Sequence, residues 1–438
     1  NDFKNGEKIF VALTSNIKGS NNIALPPVVF EFTIVTAGSS GRFETKVDYA
    51  TGLSPQSVYA NDIDGDGDAD MLVTNNSSNT VSVLKNNGNG TFATKVDYIT
   101  GSGPQIIYVS DIDVDGDGDM LVNNYNSYTV SVMKNNGDGT FATKVDYATG
   151  VWPSSVYASD VDGDGDGDIL VANNGSNTVS VLKNNGDGTF ATKVDRATGS
   201  NPSSVYAADI DGDGDNDIMI ANNVSNGVTI WKNNGTGAFP IRLDYYTGVS
   251  PRSVYASDID GDGDNDMMFA NEGSDNVSVL KNNGDGTFAT NVDYSAGDGP
   301  VSVYASDMDG DGDGDILVAN WNSDNVSVLK NNGNGTFATK VDYSSGDAPF
   351  SAYASDIDGD GASDIIVANL FSYTISVLKN ITTSYTITAT SGGTGNGTIN
   401  PAGEVSVFYG ADKTFSITPN ADSHIDSVIV DGVRVASK

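Results

Sequence analysis

Short apolar runs alternate with glycine- and asparagine-rich turns along this chain, and the alternation is periodic. A phenylalanine recurs at Phe43, Phe92, Phe141, Phe190, Phe239, Phe288 and Phe337, every 49 residues. A tyrosine follows sixteen residues after each, from Tyr59 to Tyr353. Seven copies without insertion therefore fill residues 43–380. Each copy holds four runs of strand character. In the first they are FETKVDY (43–49), SVYAND (57–62), DMLVTN (70–75) and TVSVLKN (80–86). Val81 and Val83 alternate with Ser82, the two-residue period of a strand with unlike faces. MLV is continuously apolar, as in a strand covered on both sides. No segment carries the 3.6-residue period of a long amphipathic helix.

Four strands per repeat predict an all-β fold, a β-propeller with one blade per unit and hence seven four-stranded blades with small flanking β modules. A β-solenoid would stack shorter coils between terminal caps, and neither is visible. We assign SVYAND as the innermost strand and FATKVDY, taken from the next unit, as the outermost. The first blade then runs from Gln56 to Tyr98. The last blade ends near Asn380 without an outer strand, and residues 43–49 are left over to complete it. Such closure removes the free edges of an open ring.

Charge changes the picture next. The 438 residues carry a formal charge of −36, which opposes nucleic acid as a partner. The chain has no Cys and one His, His424, which reads as a solvated loop residue. No window approaches the ~18 apolar residues of a membrane helix, so no membrane insertion is expected. The opening NDFKNGEKIFVAL shows neither the basic start nor the apolar run of an export signal.

Most of the acid is concentrated in one loop per copy, DIDGDGDAD in the first. Aspartates stand on alternate positions at Asp62, Asp64, Asp66, Asp68 and Asp70; Asp111, Asp113, Asp115, Asp117 and Asp119; Asp160, Asp162, Asp164, Asp166 and Asp168. The series continues with Asp209, Asp211, Asp213, Asp215 and Asp217; Asp258, Asp260, Asp262, Asp264 and Asp266; Asp307, Asp309, Asp311, Asp313 and Asp315. The seventh copy has Asp356, Asp358, Asp360 and Asp364, with Ala362 in the remaining place. Unneutralised, such clusters repel themselves. The pattern D-x-D-x-D-G-x-x-D suits a hard cation with six to eight oxygen ligands, Ca²⁺ before Mg²⁺. Side chains at the first, third, fifth and ninth positions and a backbone carbonyl at the seventh would supply them, so Ala362 is compatible with a ligand role. The glutamate and the flanking helices of an EF-hand are absent. About seven Ca²⁺, one per blade, would bring the charge to about −22. With a Kd of about 10⁻⁴–10⁻³ M, a tenfold excess of calcium adds roughly 1.4 kcal/mol per site, about 10 kcal/mol in all. That scale suits extracellular calcium.

DIDGDGDAD followed by MLV, together with VLKNNGDGTF, resembles the FG-GAP/VCBS repeats of integrin α-subunit propellers and of many secreted bacterial proteins. The resemblance spans 43–380 and implies a seven-bladed propeller with calcium loops between the first and second strands of each blade. The literal GAP tripeptide is missing, and all seven copies carry the loop where integrins have it on some blades. The bacterial type is the nearer one, and no integrin role is implied. Residues 1–37 resemble the closing strands of a bacterial Ig-like domain, and 384–438 a small all-β repeat of bacterial surface proteins. Each reads as a module cut short, so a larger multidomain protein is expected.

No catalytic residue is assigned. The repeats lack His and Cys, and most of their carboxylates read as metal ligands, so the protein is expected not to be an enzyme. The loops on the face opposite the metal break the repeat's regularity with Tyr125, Tyr128 and Trp152, and again with Trp321, Phe350, Phe371 and Tyr373. These either pack against a neighbouring blade or form a platform for a protein or glycan ligand. Trp231 replaces a repeat leucine and is expected in the core. The leading expectation is a secreted or cell-surface calcium propeller in adhesion or surface structure. The alternatives are a carbohydrate-binding module of an extracellular polysaccharide-degrading enzyme and a subunit of a surface fibre or layer, self-associating through the flanks by strand addition.

Overall fold

The computed structural model describes residues 41–381 without a break. Beyond them it describes short segments at 8–13, 28–33, 385–389, 397–400, 402–407, 416–419, 427–430 and 433–437. β1 (Lys8–Leu13) pairs antiparallel with β2 (Val28–Thr33). Three further antiparallel pairs lie between Tyr385 and Ser437. The Ig-like and surface-repeat expectations, self-association through those flanks, and His424 fall on connections and side chains outside the described residues.

Residues 41–381 form seven four-stranded antiparallel sheets, a seven-bladed propeller. The seventh sheet takes its outer strand from the N-terminal side, β3 (Val47–Ala50). The first blade is β4 (Pro55–Asn61), β5 (Asp70–Asn75), β6 (Thr80–Leu84) and β7 (Val96–Ile99), in spatial order from the axis outward. β5 is buried at every position, whereas β7 is largely exposed. The burial of β5 explains its unbroken apolar run. Leu72 packs with Val81 and Val83 against Ile107, Val109 and Met120 of the second blade. Met71 and Val73 point the other way, against Ile366 and Ala368 of the seventh. Each sheet is thus core on both faces, and the blades hold one another through seven such seams.

The closing strand is registered like the others. Asp48 pairs with Ser376 and Tyr49 with Ile375, as Asp97 pairs with Ser82 and Tyr98 with Val81. Phe43 bridges Asn380 as Phe92 bridges Asn86. Phe43 also meets Tyr343 edge-on at a ring-centroid distance of 5.0 Å, one of six Phe–Tyr pairs that lock neighbouring blades near the rim. The outer strands expose valines such as Val47 and Val96, but Lys46–Asp48 and Lys95–Asp97 ion pairs flank them. Charge on an edge opposes pairing with a further strand.

On the axis, the seven repeat tyrosines form a closed ring. Neighbouring centroids lie 4.5–5.4 Å apart, and the Tyr59–Tyr353 contact closes it at 4.9 Å. The central channel is therefore plugged. Burial pushes the Tyr157 hydroxyl up, as it does those of Tyr206 and Tyr353. Trp231 corrects the core expectation: where Leu84 and Leu182 are buried, its indole is half-buried at the seam of the third and fourth blades. Its Nε1 donates to the Ala197 carbonyl at 3.1 Å, and Arg196 and Arg242 lie over its ring. A leucine-sized site has no room for an indole, so the ring turns outward to the guanidinium groups.

Deleting residues 43–50 removes a full sheet edge and the Phe43–Tyr343 contact, and is expected to lower the thermal midpoint of the whole ring. An unchanged midpoint would contradict closure by this strand.

Candidate metal centres and the face opposite them

The loop between β4 and β5 is shaped by its own aspartates. Asp62 Oδ1 accepts from the Gly65 N–H at 2.8 Å and Oδ2 from the Gly67 N–H at 2.9 Å. Asp66 Oδ1 accepts from the Asp68 N–H at 3.0 Å. The path demands a left-handed backbone at the sixth position, where φ is 88–98° in all seven loops and glycine alone is comfortable. At the fourth position Val114 also stays left-handed, at φ 61°, where the other six copies have glycine. A β-branched residue there costs about 1–3 kcal/mol, so the surroundings dictate the loop's shape.

The ninth-position aspartate enters the core. Asp70 is fully buried, as is Asp364. Its Oδ1 accepts from the Asn86 N–H at 2.7 Å and its Oδ2 from the Ile63 N–H at 3.4 Å. Burial pushes its carboxyl up to about 6, with the charges of Asp64 and Asp66 adding to the effect and the two N–H donors opposing it. Asp119, Asp168 and Asp266 are likewise pushed up to about 6, Asp217 and Asp315 to about 7, and Asp364 to about 8.

The third position has a different partner. Asp64 Oδ2 takes an ion pair from Lys85 Nζ at 3.0 Å, and the same ammonium donates to the Asp138 carbonyl of the next blade. Each blade repeats the pair, from Lys134–Asp113 to Lys379–Asp358, at 2.7–3.1 Å. The other oxygen is left without a partner. Oδ1 of Asp64, Asp113, Asp162, Asp211, Asp260, Asp309 and Asp358 is buried and accepts no hydrogen bond. A buried acceptor without a donor is costly. The same atom orphaned seven times at one place fits a cation that the lysine does not replace.

Oxygens from three aspartates lie within 4.8 Å of one another at Asp62, Asp64 and Asp66, at Asp111, Asp113 and Asp115, and at Asp258, Asp260 and Asp262. In two other loops the ninth position joins instead, as Asp160, Asp162 and Asp168 and as Asp209, Asp211 and Asp217. The seventh-position side chain is not gathered in: Asp68 lies against Gly88 of the β6–β7 turn. Ala362 at this position keeps the local bond, its N–H donating to Asp360 Oδ1 at 3.0 Å.

The sequence reading missed the residues that tie each loop to the next blade. Asn135 donates its N–H to Asp119 Oδ1 at 2.7 Å and its side-chain amide to the Ile63 carbonyl of the first blade's loop at 2.8 Å. Six counterparts do the same, and Asn86 closes the circle onto Ile357. The signal was present as a Lys-Asn dipeptide in every copy, from Lys85-Asn86 to Lys379-Asn380.

On the opposite face the aromatic residues form two groups. Tyr125 and Trp152 stack with rings 8° from parallel and centroids 6.0 Å apart. Trp321 meets Phe350 at 5.3 Å and Phe371 at 5.7 Å, both edge-on. Tyr128 and Tyr373 stand on the same loops, 41% and 44% exposed, beside Trp152 at 44% and Phe371 at 54%. Trp152, Tyr128 and Tyr373 have φ of 53–59°, at positions where other copies place Gly, Ser, Ala, Asn or Asp. An aromatic residue in the left-handed region costs about 1–3 kcal/mol. Trp152 recovers part of it in its stack with Tyr125.

A plugged seven-bladed ring with one acidic loop per blade defines a class of repeat propeller. The chain belongs to the FG-GAP-like repeat family, whose model matches six overlapping spans from residues 62–122 through 307–367. Among solved structures it is similar to virginiamycin B lyase from Staphylococcus aureus, at 12% identity and a TM-score of 0.56 over 78% of this chain and 100% of that one. It is also similar to hydrazine synthase from Kuenenia stuttgartiensis, at 16% identity and a TM-score of 0.54 over 75% of this chain and 96% of that one. A lectin from Agrocybe aegerita matches at 23% identity and a TM-score of 0.48 over 78% and 90%. At these identities the likeness is one of fold, and the lectin match is too loose to bear even on that. No curated protein matches the chain.

The buried aspartates set a pH dependence for the metal-free protein. An unfolded chain releases these protons near the ordinary value of 3.8, whereas the folded chain holds them to about 6–8. The resulting stability is whole below pH 3.8 and is lost as pH rises through 6–8. Urea unfolding of demetallated protein is expected to give lower stability at pH 8 than at pH 5, and a flat or rising profile would contradict the assignment.

Proposed function

We propose that this propeller is a calcium-loaded, non-catalytic recognition module of a modular extracellular protein, acting in adhesion or surface structure. The observation that carries the calcium reading is the set of seven orphaned Asp64-type oxygens in loops that already gather three carboxylates. Asp62, Asp64, Asp66 and Asp70 and their counterparts would hold the ion through side chains, with the seventh residue, Asp68 or Ala362, offering its carbonyl. The bound cation would supply positive charge to the loop. Asp62 fixes the turn, Lys85 shields the outer oxygen of Asp64, and Asn86 links the loop to its neighbour.

Extracellular placement is supported by the family, whose repeats are typical of extracellular proteins, and by the weak, calcium-selective character of such loops. Among the described residues no helix is long and apolar enough to cross a membrane. The non-catalytic reading rests on the repeats' lack of His and Cys and on the engagement of their aspartates with backbone donors and lysines. Ligand recognition belongs on the face opposite the loops, where the repeat loses its regularity.

Addition of 2 mM Ca²⁺ to demetallated protein at pH 7.5 is expected to raise the thermal midpoint by roughly 10 °C or more, given about 1 kcal/mol per site over several sites. Equal Mg²⁺ is expected to do markedly less, because it prefers to keep its waters. Equal response to both ions, or no response, would overturn the calcium reading.

A further inference from the structure

A funnel of about 240 Å³ opens on the axis at the face opposite the metal loops. Its wall includes Gln105, Tyr125, Ser154, Asn174, Arg252 and Phe350. The tyrosine ring closes the channel a few residues further along the same inner strands. The tyrosine beneath the mouth is copied seven times, but the mouth is not. Residues at the position of Gln105 read Gln, Gln, Ser, Ser, Arg, Val and Phe around the ring, three residues ahead of a tyrosine that never changes. A symmetric plug therefore carries an asymmetric rim, which suits an asymmetric ligand.

The chemistry of the rim is specific. The Tyr125–Trp152 stack stands on the second and third blades, and Phe350, backed by Trp321, stands on the far side of the ring in the seventh. Between them come hydroxyls, side-chain amides and one guanidinium. Arg252 donates through Nε to Glu272 at 2.6 Å, and its terminal guanidinium nitrogens carry no hydrogen bond to any described residue. Gln56 Oε1 and Asn223 Nδ2, at the repeat positions of Gln105 and Asn174, are buried without a partner. Flat aromatic faces receive the C–H faces of a sugar ring, while amides and hydroxyls meet its hydroxyls. An acidic ligand is disfavoured, because Glu272 neutralises Arg252 and the whole chain carries −36.

We propose that the funnel between Tyr125 and Phe350 binds a neutral sugar, one or two rings deep. The inference rests on the reading of this propeller as a recognition module and names the ligand class and the place. A polypeptide occupant is less well matched, since the mouth is small and its walls are mostly hydroxyl and amide.

The test is an array of neutral and acidic oligosaccharides probed with the whole chain in calcium. Wild type, Trp152→Gly, Phe350→Ala and Trp231→Leu are compared, and each sample is also melted with and without chelator. Trp152→Gly is the informative variant: it removes the ring that holds the lining residue Tyr125 in place, and Gly103 and Gly299 occupy its position in other copies at φ 68° and 65°. It is expected to melt at the wild-type temperature or higher while losing at least tenfold in binding to neutral sugars. Phe350→Ala is expected to lose binding likewise, and Trp231→Leu to keep it. Retention of no sugar, retention of acidic sugars alone, or unchanged binding by Trp152→Gly would overturn the proposal. The melts read the calcium account separately, so that either can fail alone.

Discussion

The ring depends on keeping a buried carboxylate tolerable. Asp70 and its counterparts are out of water, each in a loop with at least three other aspartates. An unpartnered charge in that position would cost several kcal/mol. Two backbone N–H groups answer it, from Ile63 within the loop and from Asn86 at the end of β6. The second donor belongs to the residue whose side chain reaches the preceding blade's loop. Satisfying one aspartate therefore fixes the approach of two blades. Repeated around the ring, this makes the acidic loops part of the blade seams. Stability and the charge of the loops are thereby linked, because whatever neutralises a loop also steadies the seam beside it.

The two faces divide their tasks on that basis. On one, seven near-identical loops hold the ring, and the lysines at Lys85 and its counterparts stitch each loop to the turn of the next blade. On the other, the strand connections are free of that duty and differ from blade to blade. The tyrosine ring separates the two and gives the funnel a floor. A module of this kind presents variable side chains on a rigid frame, as binding loops commonly do.

Much of this was legible in the sequence because the repeat is strict. The period of 49, the four runs per copy and the place of MLV between two covered faces define the blades without reference to coordinates. The surplus strand at 43–49 and the missing outer strand of the seventh blade were visible as a mismatch between sequence unit and sheet. The aspartate loops were legible by spacing alone, although the division of labour among their oxygens was not. That Asp64 shares one oxygen with Lys85 and leaves the other bare depends on a contact across 21 residues. The role of Asn86 depends on one across 271 residues. No periodic pattern distinguishes such bonds from ordinary turn chemistry. Trp231 was misplaced for a similar reason: substitution at a core position suggested burial, but the volume of the indole and the nearby guanidinium groups of Arg196 and Arg242 decided otherwise. The strain at Trp152, Tyr128 and Tyr373 is a backbone property, visible once φ is known.

The central claim is that each loop is a calcium site built into a seam. Native mass spectrometry of the whole chain, titrated with calcium after demetallation, tests it most directly. The account predicts occupancy that climbs to about seven ions per chain. Saturation at fewer than about four, or adducts that magnesium reproduces equally, would contradict it.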